Sequence, residues 1–166
     1  MTDDKPTIDR IKLLHPKLRD EATLIYQEIK AALTGKAICR FSYTLRTFAE
    51  QDALFNARPQ VTKAKGGQSY HNYGLAVDIV LLVDKDKNGS YESALWDVKS
   101  DFDQDKTADW MEIVAIFKRY GWEWGGDWKF YDAPHFQKTH SKSIVDLLKL
   151  YNSKKFITKT TYVDLD

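Results

Sequence analysis

Two histidines and an aspartate, remote from one another along the chain, have the side chains that could hold a metal ion. His71 lies in Ser69-Tyr70-His71-Asn72-Tyr73-Gly74-Leu75-Ala76-Val77-Asp78, which runs straight into Ile79-Val80-Leu81-Leu82-Val83. His135 lies downstream, in Asp132-Ala133-Pro134-His135-Phe136-Gln137. Residues 75–83 are apolar on both alternating faces apart from Asp78, the pattern of a strand buried on both sides. Leaving even a neutral polar group buried and unpartnered costs roughly 2–7 kcal/mol. Asp78 must therefore meet a cation, a donor network or a metal. Two imidazoles and one carboxylate form the ligand set of an open catalytic zinc site, which keeps a fourth position for water and lowers that water's pKa towards about 7. His71, Asp78 and His135 are expected to be those ligands.

Hydrolysis on such a site needs a base for the water's proton. Asp132, three residues before His135, is the candidate: a turn through Ala133-Pro134 brings it near the metal without making it a ligand, and burial beside Trp128 and Phe136 is expected to raise its pKa. Arg46, at a strand-to-helix junction, has the fork that suits a carboxylate or a developing oxyanion. A nucleophilic side chain is not expected. The single thiol, Cys39, sits in the apolar run Ala37-Ile38-Cys39-Arg40-Phe41, and no serine occupies a strand–turn–helix elbow.

A second metal is suggested by Asp101, Asp103, Asp105, Asp109 and Glu112. They take positions 1, 3, 5, 9 and 12 of a twelve-residue calcium loop, with the Thr107 carbonyl at position 7. Lys106 stands at position 6, where glycine usually makes the turn, and has to adopt a left-handed conformation there. The earlier stretch Asp84 to Glu92 begins similarly, but its twelfth position is Leu95, so it reads as a solvated turn.

The elements that carry these residues follow in order. Residues 1–16 are polar and expected to be loosely held until Ile11-Lys12-Leu13-Leu14. Pro16 starts a helix whose apolar positions run from Leu18 to Leu33, with Gly35 as its stop. Residues 37–45 read as a strand, Thr47 caps a helix to Phe55, and Arg58 to Gln68 is a basic loop. After the second acidic stretch a helix carries Trp110, Ile113, Val114 and Phe117 on one side and ends near Tyr120-Gly121. A short strand at Trp122-Glu123-Trp124 enters a glycine turn. Pro134 puts the following piece at a sheet edge or strand start. Ser141 is expected to cap a last helix with Ile144, Leu147, Leu148 and Tyr151 buried. Residues 153–166 are either an added strand or a tail. His15 and His140 read as structural.

With 166 residues, 43% hydrophobic and 30% charged, the chain is expected to form one globular domain over 1–166 with its core over about 12–152. A net charge of +1 provides no basic field for nucleic acid. One cysteine excludes an internal disulfide. Met1-Thr2-Asp3-Asp4-Lys5 lacks an apolar signal region, and no run is long enough to span a membrane. Synthesis in the cytoplasm without membrane insertion is expected, and the protein is expected to act as a monomer.

Taken together, Ser69, His71, Gly74, Ala76 and Asp78, then Asp132 and His135, and Arg46 before Phe48-Ala49-Glu50-Gln51 resemble the D-alanyl-D-alanine carboxypeptidase-like zinc peptidases of VanX/VanY type. The segments Trp124-Gly125-Gly126-Asp127-Trp128 and Pro134-His135-Phe136-Gln137, with aspartate at 132, look closest to the L-alanyl-D-glutamate endopeptidases. The resemblance implies an α+β fold, a small antiparallel sheet packed with helices around an open zinc cleft. It implies cleavage of the L-Ala–D-Glu bond in the peptide stem of peptidoglycan, with Arg46, Ser69 and Gln51 meeting substrate carboxylates or carbonyls. Action on the cell wall then follows release or export by another route. Some phage relatives respond to calcium. Two other readings stay open: a D-Ala-D-Ala dipeptidase or carboxypeptidase on the same zinc site, and a calcium-dependent wall-binding module without catalysis.

Overall fold

The computed structural model describes residues 3–166; Met1 and Thr2, the start of the expected loose segment and of the stretch read for a signal region, lie outside the described residues. Helices α1 (Lys5–Ile11) and α2 (Arg19–Ala32) precede strand β1 (Ile38–Tyr43) and helix α3 (Phe48–Asn56). Strands β2 (Ala76–Val83) and β3 (Ser93–Leu95) lead to α4 (Asp109–Arg119), and β4 (Glu123–Trp124) and β5 (His135–Gln137) to α5 (Ile144–Asn152). The fold is α+β. Its sheet is small, antiparallel and open, in the order β1-β2-β5-β4, with β3 also paired to β2.

β2 is the axis. Seven of its eight residues are buried and Asp78 alone is half-buried, so the apolar run behaves as a strand covered on both faces. β1 lies along one flank, while β5 and β3 follow one another along the other, at Ala76–Asp78 and Leu81–Val83 respectively. β5 is thus a central strand rather than an edge. Pro134 precedes its first residue and still contributes, because its carbonyl accepts from the Ile79 N–H at 3.0 Å. Aromatic packing fixes the helices on the sheet: Phe117 of α4 stacks on Phe136 of β5 with centroids 4.2 Å apart, and Phe41 of β1 meets Phe117 and Tyr26 of α2 at 5.9 Å. Cys39 is buried in this core, and burial pushes its thiol up, away from nucleophile chemistry.

Three sequence expectations change. The first concerns residues 5–11, which are a helix rather than a loose lead. Asp4 caps α1, accepting from the Thr7 N–H at 3.1 Å and the Thr7 hydroxyl at 2.7 Å. The helix covers the free edge of β1, where Thr7 accepts from the Phe41 N–H and Arg10 donates to the Phe41 carbonyl. So short a helix offers only Ile8 and Ile11 as an apolar signal, and much of what it supplies to the sheet is hydrogen bonds. The second is the α5 cap, which is Ser143 with Asp146 in a reciprocal capping box; Ser141 takes a left-handed conformation at φ 59° instead.

The third concerns residues 153–166, which are neither free tail nor strand but a turn pinned by a Phe156–Val163 bridge, with Val163 and Leu165 buried. The Val163 carbonyl accepts from Nε2 of the fully buried His15 at 2.9 Å, so His15 is a structural donor. Among the described residues no helix is long and apolar enough to cross a membrane.

Asp4 also accepts from Arg40 at 2.7 Å and is itself only 6% exposed, against 34% for Arg40. Burial pulls its carboxyl up, but the Arg40 and Thr7 hydrogen bonds outweigh that and hold it below the usual range. Asp4→Ala is expected to destabilise the fold by about 2–3 kcal/mol, after discounting for the exposure of Arg40. Because the folded pKa is depressed, this contribution is present above about pH 4 and fades as pH falls through the folded value, so denaturant curves of wild type and variant should converge in acid.

Candidate metal centre

The turn that carries His71 is built by side chains on either side of it. Ser69 Oγ accepts from the His71 N–H, and Asn72 Oδ1 accepts from the N–H groups of Gly67 and Ser69 at 3.0 and 3.2 Å. The Asn72 amide nitrogen donates to the Arg46 carbonyl at 3.0 Å, tying this turn to the start of α3. Gly74 closes the turn at φ 67°, and a Cβ there would stand 2.7 Å from the His15 nitrogen, so only glycine lets the chain swing into β2. In the β2–β5 pairing Asp78 lies directly opposite His135. A β-bulge between Phe41 and Tyr43 falls on the other flank of Asp78, where Ser42 Oγ donates to the Asp78 carbonyl.

These constraints bring the three expected ligands together. One donor atom from each of His71, Asp78 and His135 lies within 4.8 Å of the others. Asp78 Oδ1 is 3.2 Å from His71 Nε2 and 3.1 Å from His135 Nδ1. The remaining ring nitrogens are committed elsewhere. His71 Nδ1 donates to the Thr44 carbonyl at 2.6 Å, and His135 Nε2 donates to Gln137 Oε1 at 3.1 Å. Gln137 can only accept there, because its own amide donates to Glu123 at 2.9 Å. With both rings neutral, two imidazole lone pairs and a carboxylate oxygen face one point, a donor set that fits a metal ion. Burial raises the Asp78 carboxyl, yet the His135 and His71 contacts prevail and hold it well below the usual carboxylate range. Burial disfavours the charged His135 ring, and Asp78 overrides this to raise its pKa.

Around the ligands a cleft is lined by Arg46, Leu54, Val61, Thr62, Ser69 and Asp132. Asp132 is exposed at its rim rather than buried beside Trp128 and Phe136; it is Trp128 and His135 that pack together, with rings 5.2 Å apart. Partial desolvation on its inner side still raises the Asp132 carboxyl; His135 opposes this and Asp78 adds to it. The Asp132 N–H bonds the Gly125 carbonyl at 3.0 Å, and a Cβ on Gly125 would fall 2.3 Å from the Asp132 oxygen, so this approach requires the glycine.

Arg46 is only 13% exposed and lies over the Tyr43 ring at 4.6 Å, with Nη2 4.0 Å from Asp78 Oδ2 and Nη1 donating to Gln51 at 2.9 Å. Gln51 does not reach the cleft. It is fully buried, its oxygen taken by Arg46 and its nitrogen donating to Ala64, and it holds Arg46 and the 58–68 loop in place. Gln137, Asn72 and the Thr44 carbonyl were not singled out from sequence. Gln137, two residues from His135 on one strand face, carried the one usable signal.

The acidic loop before α4 also converges. Asp101, Asp103 and Asp109 come within 4.8 Å in one group, and Asp103, Asp105 and Glu112 in another. Asp101 accepts from the N–H groups of Gln104, Asp105 and Lys106, and Lys106 takes the left-handed conformation at φ 81°. Thr107 is exposed, and its N–H donates to Asp105. Asp109 is 1% exposed, and its Oδ2, like Glu112 Oε2, is buried with no partner. Burial, then the neighbouring carboxylates, push Glu112 up to about 7. The 84–92 stretch gathers Asp84, Asp86 and Glu92 as well, but at the surface.

Residues 62–138 match a family described as D-alanyl-D-alanine carboxypeptidase. Over 131 residues, 75% of this chain and 72% of the other, the sequence is 43% identical to the peptidoglycan L-alanyl-D-glutamate endopeptidase CwlK of Bacillus subtilis (strain 168). It is 36% identical over 96 residues to the L-alanyl-D-glutamate peptidase of Listeria phage A118, a match covering 57% of this chain and 28% of that protein.

Gln137→Leu keeps the volume but removes the acceptor that fixes the His135 ring. Metal affinity, measured by competition with a chromophoric chelator, is expected to fall about 10–100-fold. An unchanged affinity would show that the ring is oriented by other means.

Proposed function

The chain belongs to the D-alanyl-D-alanine carboxypeptidase family of metallopeptidases, and from that premise we propose that it is a zinc-dependent peptidoglycan peptidase cutting the L-Ala–D-Glu bond of the peptide stem. The observation that carries the reading is the convergence of two imidazole lone pairs and the Asp78 carboxylate on one point at the floor of a cleft. His71, Asp78 and His135 would hold the metal, through the ring nitrogens and the carboxylate that face one another. Zinc bound there supplies a Lewis acid for the scissile carbonyl and lowers the pKa of water towards about 7.

The chain's own residues do the rest. Asp132 takes the proton of the attacking water on a carboxylate oxygen and hands it to the departing amine nitrogen, and its raised pKa suits both halves of that transfer. Arg46, held flat by Tyr43 and Gln51, faces the carboxylate that D-glutamate carries beside the scissile bond, or the carbonyl oxygen as charge builds on it. Ser69 lines the same cleft, where its hydroxyl would meet a carbonyl or carboxylate of the substrate.

We further infer that the loop from Asp101 to Glu112 holds calcium, with the Thr107 carbonyl among the ligands. Its support is the buried, partnerless Oδ2 of Asp109, aimed into a group of carboxylates whose spacing fits a twelve-residue calcium loop.

Three experiments test these readings. Asp132→Asn should retain its zinc by metal analysis while kcat falls about 10²–10⁴-fold. Mass spectrometry of digested wall fragments should then find new D-glutamate amino termini; free D-alanine or its dipeptide as the main product would reassign the bond that is cut. For the loop, calcium should raise the melting temperature of the chelator-treated wild type but not of Asp109→Asn. Identical melting of the wild type with and without calcium would remove the second site.

A further inference from the structure

The rim of the cleft carries apolar side chains that neither the metal centre nor the core uses. Val61, Phe130 and Tyr131 are 67%, 79% and 62% exposed, and they stand on the two segments that frame the cleft. Phe130 and Tyr131 directly precede Asp132, so the Phe130 Cα lies within about 7.6 Å of the Asp132 Cα along the chain. The two segments meet where Lys63 Nζ sits 5.7 Å from the centre of the Phe130 ring. Tyr131 leans edge-on against Trp124 at 6.4 Å, and Trp124 is anchored by its indole N–H to the Ala133 carbonyl at 2.7 Å. The patch thus joins exposed aromatic rings on a backed support to a cationic donor. Large exposed apolar side chains gathered at the rim of a cleft mark a candidate binding site.

Resting on the L-Ala–D-Glu reading, we propose that this rim is a saccharide subsite, in which Phe130 and Tyr131 stack on a pyranose ring of the glycan strand and Lys63 donates to its hydroxyl or carbonyl oxygens. The chemistry of the substrate favours this occupant. The stem's L-alanine nitrogen is joined through a lactyl group to the sugar, so an enzyme cutting immediately after that alanine works about two residue lengths, roughly 7 Å, from the ring. The apolar C–H face of a pyranose lies flat on an electron-rich aromatic face, and its edge hydroxyls accept from an ammonium. A peptidase acting near the far end of the stem would find no sugar within that reach.

The experiment compares kcat/KM on two substrates: the stem peptide carrying its disaccharide, and the same peptide capped with a lactyl group in place of the sugar. Wild type should prefer the sugar-bearing substrate by about tenfold, and Phe130→Ala with Tyr131→Ala should bring that ratio towards one. Peptide-free glycan fragments should inhibit wild type competitively, a readout that does not depend on any variant folding. A wild type without preference, a ratio unchanged by the double variant, or no inhibition by glycan overturns the subsite. Equal losses on both substrates assign the rim to the peptide instead. If wild type cleaves the lactyl-capped peptide without preference, the L-Ala–D-Glu reading stands and only the saccharide subsite falls; if it cleaves neither substrate, that reading fails and the subsite with it.

Discussion

Asp78 facing His135 across the β2–β5 ladder is the contact on which the rest of the molecule depends. Adjacent antiparallel strands hold directly opposed side chains at about 4.5–5.5 Å, so the sheet itself sets the spacing of two of the three candidate ligand side chains. The third, His71, comes from outside the sheet and needs a turn to bring it back over β2. A one-residue slip in register would send Asp78 to the opposite face and dissolve the centre, and the buried apolar run on both sides of Asp78 is what forbids that slip.

Around this contact the fold supplies acceptors rather than further ligands. The Thr44 carbonyl and Gln137 each take a ring N–H, which turns the free lone pairs of both histidines towards Asp78. Asn72 binds the His71 turn to the segment that presents Arg46, and Gln51 binds Arg46 to the loop across the cleft. The polar interior is therefore a connected network: one end fixes the candidate metal ligands, and the other fixes the residues that would meet substrate.

The centre was legible in the sequence because its constraints are local in pattern. A carboxylate inside an apolar strand demands a partner wherever the strand lies, and glycine after His71 announces a sharp return. The cap at Thr47 and the helix it opens were equally plain, since cap and first turn are neighbours in sequence; the structure adds Glu50 as the other half of a capping box. What escaped reading was long-range. α1 offers only Ile8 and Ile11 as an apolar signal, and its hold on the β1 edge runs through the hydrogen bonds of Thr7 and Arg10. Gln51 has the same side chain whether it faces substrate or lies fully buried beside Arg46, and only the long-range hydrogen bond from its amide to the Ala64 carbonyl decides. Asp132 was placed inside by its aromatic neighbours in sequence, whereas the turn enforced by Gly125 lifts it to the rim. Asp109 could be read as a ligand position, but its solitary buried oxygen could not.

His15 links two distant stretches: its ring reaches Val163 while its backbone N–H donates to the Gly74 carbonyl at 2.9 Å, at the turn that aims His71. During translation residues 11–138 emerge well before residue 163, so the ring of His15 waits without its acceptor until that late stretch has been made. The turn that aims His71 is therefore braced only once residue 163 has been made, and a ribosome-bound nascent chain that stops short of it carries all three candidate ligands yet lacks the clasp that steadies the first of them.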